Sequence, residues 1–462
     1  GAIDSAFGAG AIDITTAALD GITIHQLNST SETSTSASVK GVHIDTATAM
    51  TLDNAIFTTV NAAGTGISIR SGGVFNSGGQ SIDVGNGGAG DVRNGDILLS
   101  GTDLTLSGAD KIATGNTVTL VDTAGTVALN VAGGNANDDL SADEILAVSE
   151  NARAFTINTA GAVTLADNGY LDLSTAGNAA NLTITASAGN IAMTTTGNDD
   201  GFKAGSITLT ASAGDITQSG ASSAALLTAT VNNDITLTGD KIGLTGTGTI
   251  DVAMSGTGKL VVDSSRATGD VFIDSAGALL VGNIQTFAND EVLIQSASTL
   301  GTSAAITSGG ILTLRGATGV DFDAHVTAES ITVKAGASTT YDQTITTADT
   351  TSSILTTTVG DLSLHGTSIT KAGDATAAIK VVVAGKLVVD ADHTDAGNVL
   401  IESDSALALG DIDLDGTADT ATITTLGALT TGGAITSDGN LVLKGNVVTV
   451  SHDITAKALT ID

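Results

Sequence analysis

Gly258-Lys-Leu-Val-Val-Asp263 recurs unchanged as Gly385-Lys-Leu-Val-Val-Asp390, and this duplication decides the reading of the chain. The match extends both ways. Upstream, Ile235-Thr-Leu-Thr-Gly239 aligns with Leu362-Ser-Leu-His-Gly366. Downstream, Gly269-Asp-Val-Phe-Ile-Asp-Ser275 aligns with Gly397-Asn-Val-Leu-Ile-Glu-Ser403. Leu227–Val231 and Ser308–Gly316 have counterparts at Leu355–Val359 and Ser437–Gly445, so the offset stays nearly constant along the repeat. Aliphatic and glycine positions are shared while polar ones drift, the signature of a retained core under a free surface. A chain that repeats itself in this way is built from stacked copies of one unit.

Inside the long unit lies a shorter motif, an aliphatic–polar–aliphatic triplet with Thr often at its centre. Val163-Thr-Leu165, Leu182-Thr-Ile184, Ile207-Thr-Leu209, Leu312-Thr-Leu314 and Leu459-Thr-Ile461 are examples. Period-two alternation describes a strand with aliphatics inside and Thr outside. Such segments begin at Ile235, Ile242, Ile250, Leu260, Val271 and Leu279, which leaves room for a short strand and a turn each. Sandwiches and barrels need longer strands joined by defined hairpins. Parallel stacking, coil on coil, pairs these short strands and buries one aliphatic layer.

The expected fold is therefore all-β, a right-handed parallel β-helix (solenoid) of short strands. A coil of roughly 20–28 residues is expected from comparable strand-bearing repeats, and at about 4.8 Å per coil the rod would be on the order of 80–110 Å long. Three segments are expected: 1–132, a β-helix part with irregular loops; 133–154, an acidic loop and short helix; and 155–462, the β-helix with the long repeats, cut off inside a unit at its end. The helix is placed near 142–151, where Ser141 and Glu144 form a capping box before an apolar run. The interrupted last unit implies a longer array or an end covered by another copy. Gly1 in place of Met implies a processed product or a fragment.

Composition agrees with thin layers. Hydrophobic residues make up 41% of 462, yet aromatics are 2% and Trp is absent, so the apolar content is mostly Ala, Val, Ile and Leu. There is no Pro, a residue that strands paired on both sides exclude. There is no Cys, which removes disulfides and thiol chemistry. A net charge of −33 repels nucleic acid and anionic lipid, so neither is an expected partner. No apolar run is long enough for membrane insertion.

Ser206-Ile-Thr-Leu-Thr-Ala-Ser-Ala-Gly-Asp-Ile-Thr217 and Ser308-Gly-Gly-Ile-Leu-Thr-Leu-Arg-Gly316 resemble repeats of the filamentous-haemagglutinin-like proteins, large bacterial surface and secreted adhesins with β-helical shafts. The resemblance covers 155–462 well and 1–130 loosely. It implies an extracellular or cell-surface shaft and transfers no functional residues. The family's amino-terminal secretion domain is not recognisable in this sequence.

Candidate chemistry is sparse. Asp411-Ile-Asp413-Leu-Asp415 puts three carboxylates on one strand face, and Asp321-Phe-Asp323 puts two; such oxygen-rich faces could hold Ca²⁺, but carboxylates on strand exteriors are ordinary and a solvated face is the expected reading. Asn135–Asp139 with Asp143 and Glu144 lacks the spacing of a calcium loop. Gly85-Asn-Gly-Gly-Ala-Gly90 fits a dinucleotide fingerprint but is followed by strand-like Ile97-Leu-Leu99 where a helix is required. The six His, at 25, 43, 325, 365, 393 and 452, form no metal pair. Lys259 and Lys386 of the repeated hexapeptide are expected to lie over aliphatic surface. The first functional expectation is a non-enzymatic structural shaft, an adhesin stalk or fibre. Its expected partners are further repeats, other copies, or a cell-surface or glycan receptor. The alternatives are a self-assembling surface-layer or sheath subunit and a polysaccharide-active β-helix enzyme. With no Trp and two Tyr, the enzyme lacks sugar platforms.

Overall fold

A computed structural model describes strand residues 3–5, 12–16, 22–24 and 27–31, and then 42–53, 56–60, 64–84, 95–106, 112–114, 116–123, 129–131, 139–140, 153–165, 170–174, 180–194, 201–219, 226–246, 248–264, 269–336, 341–347, 354–371, 378–391, 397–415 and 420–462. No helix occurs among the described residues. The helix expected near 142–151 and the glycine run 85–90 lie outside them, as does the acidic cluster apart from Asp139. The chain forms two compact units, one of residues 1–230 and 237–239, the other of 231–236 and 240–462.

Both units are parallel β-solenoids. In the first, one inward position can be followed from Ile44 through Ile69, Leu99, Leu120, Ile157 and Ile184 to Leu209, each paired in parallel with the next. All of them are buried. In the second unit the corresponding stack runs Ile250, Ile273, Ile294, Leu314, Val333, Leu364, Val389, Ile412, Ile435 and Ile454. It is buried through Ile435. Each buried aliphatic contributes about 1.5–3 kcal/mol relative to exposure, and every neighbour in the stack is another aliphatic of similar size. The period-two alternation is therefore realised, and it is local: strand Leu260–Ser264 and strand Ile207–Ala211 both bury every second residue.

Coil length is not constant. Val333 follows Leu314 after a short connection, whereas Ile157 follows Leu120 only after a much longer excursion. Both lie outside the coil of roughly 20–28 residues expected from the sequence, one below it and one above. Register is held by the strands, so residues added between them do not disturb the stack.

Corners carry a recurring polar clasp. The strand ends on an inward Ser or Thr whose hydroxyl closes the turn and reaches the coil beneath. Ser296 Oγ donates to Gly277 O at 2.8 Å and accepts from Ser298 N at 3.1 Å. Thr425 Oγ1 accepts from Gly427 N at 3.0 Å and donates to Ser405 O. These are equivalent places in the two copies of the long repeat. Ser71 Oγ does the same in the first unit, with Thr48 O at 2.9 Å. A buried hydroxyl here satisfies backbone groups that a turn would otherwise leave unpaired.

Alternation stops at corners. Val231 and Val359, a repeat-equivalent pair, are 62% and 68% exposed although the spacing from Leu227 and Leu355 would put them inside. The strands end at Ala229 and Thr357, and Asn232 turns through a left-handed φ of 66°.

Candidate functional site

The duplicated hexapeptide marks a backbone clasp. Asp234 Oδ1 accepts a hydrogen bond from Lys259 N at 2.7 Å, and Asp361 Oδ1 accepts one from Lys386 N, also at 2.7 Å. Each joins one coil to the next, and the two occupy equivalent places in the long repeat. Asn190 to Asp215 N, Asp270 to Glu291 N and Asp411 to Ala434 N repeat the device. The amides of the two hexapeptide lysines are thus held alike in both copies of the repeat. The side chain of Lys386 adds a contact of its own, Nζ donating to Gly432 O at 2.9 Å.

The five candidate calcium ligands do not converge. Asp411 is engaged with the Ala434 amide at 3.0 Å. Asp413 lies on an outward ladder next to Asp390. Asp415 is exposed at the strand's end. Asp321 and Asp323 lie on a different part of the unit, where Asp321 Oδ1 accepts from Thr346 Oγ1 at 2.9 Å. Among the described residues no group of three His, Asp or Glu is placed to hold a metal.

The ladder that carries Asp413 is unusual in this acidic chain. Its outward rungs read Asp251, Asp274, Gln295, Arg315, Lys334, His365, Asp390, Asp413. Three basic residues occupy consecutive coils in a chain with 16 Lys and Arg. Like charges directly opposite are destabilising, and each finds a local counterweight. His365 Nδ1 lies 3.0 Å from Asp390 Oδ2. Tyr341 packs against His365 with ring centroids 5.0 Å apart, and Lys334 Nζ lies 5.8 Å from the centre of the tyrosine ring. Arg315 is close enough to attract Asp274, whose carboxyl is nevertheless pushed up by burial. The strip is thus paired in part: His365 meets Asp390 and Arg315 attracts Asp274, while Asp251 beside Asp274 and Asp390 beside Asp413 keep its two ends acidic. Sequence reading saw scattered histidines here, because Arg315, Lys334, His365 and Asp390 stand far apart along the chain and only the register unites them.

Two other carboxylates depart from ordinary behaviour. Asp290 is buried, and burial pushes its carboxyl up, with Asp270 adding to the effect. Its Oδ1 accepts from Gly269 N at 2.9 Å. Asp172, in the first unit, is opposed by burial, but hydrogen bonds from Ser174 and the ion pair with Lys203 at 3.3 Å hold it below the usual range.

In the second unit a groove of about 220 Å³ is lined by Met254, Leu279, Leu280, Gly301, Asp321 and Asp323 among others. Here a candidate ligand pair borders an open space with an apolar wall. Fold and surface together define a parallel β-solenoid repeat protein. No family model, curated protein or solved structure matches the chain.

Proposed function

We propose that the chain is a structural shaft of a large extracellular bacterial surface protein, a stalk or fibre. One observation carries this reading: in each unit, coil after coil repeats the same aliphatic stack and the same clasps. Repetition of this kind serves extension, since each coil contacts only its neighbours and any number can be added. The absence of Cys suits a chain exported unfolded, and the Thr, Ser and Asp exterior suits a hydrated surface. The resemblance of Ser206–Thr217 and Ser308–Gly316 to filamentous-haemagglutinin-like repeats supports the same placement. The reading is non-enzymatic: with no Trp and two Tyr the chain is poor in the aromatic platforms on which a polysaccharide-active enzyme would seat sugars.

The same repetition also suits a self-assembling surface-layer or sheath subunit, in which copies of the chain pair with one another. Electron microscopy of the purified protein tests both. Isolated rods support the shaft, ordered filaments or sheets support self-assembly, and turnover of a polysaccharide panel refutes the non-enzymatic reading.

A further inference from the structure

The charged ladder of the second unit is ordered in blocks. Asp251 and Asp274 stand on neighbouring rungs, Gln295 follows, and Arg315 and Lys334 stand on the next two. All are half-buried side chains of one outward column. The column beside it, Leu293, Thr313 and Thr332, carries no charge. Neighbouring rungs lie about 4.8 Å apart, where like charges disfavour one another. Strict alternation of sign would have removed that repulsion within a single chain. Blocks leave it in place, acid beside acid and base beside base. Arg315 attracts Asp274 only from two rungs away, past Gln295.

A second copy of the same chain offsets both blocks. A two-fold axis running along the strands through Gln295 reverses the order of coils in the partner. Arg315 then meets the partner's Asp274, and Lys334 meets the partner's Asp251. The contact is isologous, so each pair forms twice. The rung spacing matches because both faces are the same coil. Two other arrangements fit worse. An axis along the rod would set each rung against itself, Arg315 against the partner's Arg315. An axis through His365 would use a rung where Tyr341 already packs on the histidine and Asp390 is held 3.0 Å from its Nδ1.

We propose that the rungs from Asp251 to Lys334 form a self-recognition surface on which two copies of the chain pair antiparallel, centred on Gln295. A contact about 20 Å long and two columns wide falls short of the roughly 800 Å² per partner of a standard interface, so the pairing is weak and carried by charge. The net charge of −33 opposes any association at long range. At about 0.1 M salt that repulsion is screened beyond about 10 Å, while pairs in contact persist. The pairing concerns the flank of the solenoid and holds for a shaft or a sheath subunit alike; a monomeric result refutes it and leaves the shaft reading in place.

Sedimentation equilibrium of the whole chain tests it. A reversible dimer is expected at about 0.1 M salt, weakened at least about ten-fold at about 1 M, where the screening length falls to about 3 Å. Two charge-reversed variants follow, Arg315→Glu with Lys334→Glu, and Asp251→Lys with Asp274→Lys. Neither should pair with itself, and the two mixed should pair with each other, because every contact across the axis is then opposite in sign. A milder route needs no reversal. The chain has no Cys, so Gln295→Cys and His365→Cys each supply a single thiol for a short bis-maleimide. Gln295→Cys should cross-link readily, its two copies lying about 10 Å apart across the packed faces. His365→Cys should not, its copies being about 30 Å apart at three rungs on either side of the axis. A monomer at both salt concentrations, a dimer that survives in each charge-reversed variant alone, or equal cross-linking at the two thiols overturns the proposal. A monomer that instead binds polyglutamate through Arg315 and Lys334 overturns it in favour of an anionic partner.

Discussion

Replacing Thr425 by Val isolates the corner clasp. Thr425 is buried and its hydroxyl serves two backbone groups, Gly427 N in its own turn and Ser405 O in the coil beneath. Valine keeps the shape, so no cavity opens. It removes both hydrogen bonds and leaves a donor and an acceptor short of a partner. At about 0.5–1.5 kcal/mol net per bond the loss is about 1–3 kcal/mol. The added methyl returns on the order of 0.8 kcal/mol. A net destabilisation of about 0.2–2.2 kcal/mol is expected, with the Gly427 amide exchanging faster. Urea denaturation followed by circular dichroism gives the first number, and amide hydrogen exchange gives the second. Thr424→Val, one residue earlier on the outer face, should lie within about 0.5 kcal/mol of the parent. If Thr425→Val is as stable as the parent and Gly427 keeps its protection, the clasp contributes nothing and the argument fails.

Three further outcomes are expected. Leu314→Ala, in the middle of the second unit's stack, should cost about 2–5 kcal/mol in urea denaturation, whereas Val359→Thr at the exposed corner should cost almost nothing. Asp361→Ala and Asp234→Ala should each lose about 0.5–1.5 kcal/mol, and by matching amounts, because each deletes one 2.7 Å bond to an equivalent lysine amide; unequal losses would mean that the repeat is not energetically a repeat. Asp290 has a folded-state pKa above its unfolded value, so its contribution favours the fold at low pH and is lost as pH rises through the folded value. Asp290→Asn keeps an acceptor for Gly269 N and should therefore stabilise the protein at about pH 7 more than at about pH 4; the same gain at both pH values would contradict the buried-carboxylate account.

The Asp290 case shows where sequence reading stops. Ala288-Asn-Asp-Glu291 looks like a solvated acidic turn, and its neighbours along the chain give no sign of burial. The carboxyl is buried where Gly269, one coil away, brings its amide onto it. Phe287 and Ile311, apolar by sequence, are exposed, and Val231 and Val359 are exposed because the chain turns before alternation can bury them. Asp321, Asp323, Asp411, Asp413 and Asp415 face outward, each beside a buried apolar residue. Their division among separate ladders could not be read, since it depends on which coil lies above.

What the sequence determined by itself is the parallel β-solenoid. Alternation of aliphatic and Thr is a property of neighbours along one strand, and burial of alternate aliphatics follows wherever such strands stack. The long repeat guaranteed that they stack on their own kind. The tertiary structure decided which polar groups meet. Asp361 and Lys386, like His365 and Asp390, are 25 residues apart, but Asp290 and Gly269 are 21 apart and Asp411 and Ala434 are 23 apart, so one spacing does not tell which polar groups meet along the whole chain. Hydrophobic burial is non-directional and tolerates this variation. Hydrogen bonds and ion pairs require particular atoms within about 3 Å of one another, and only the completed register brings those atoms together.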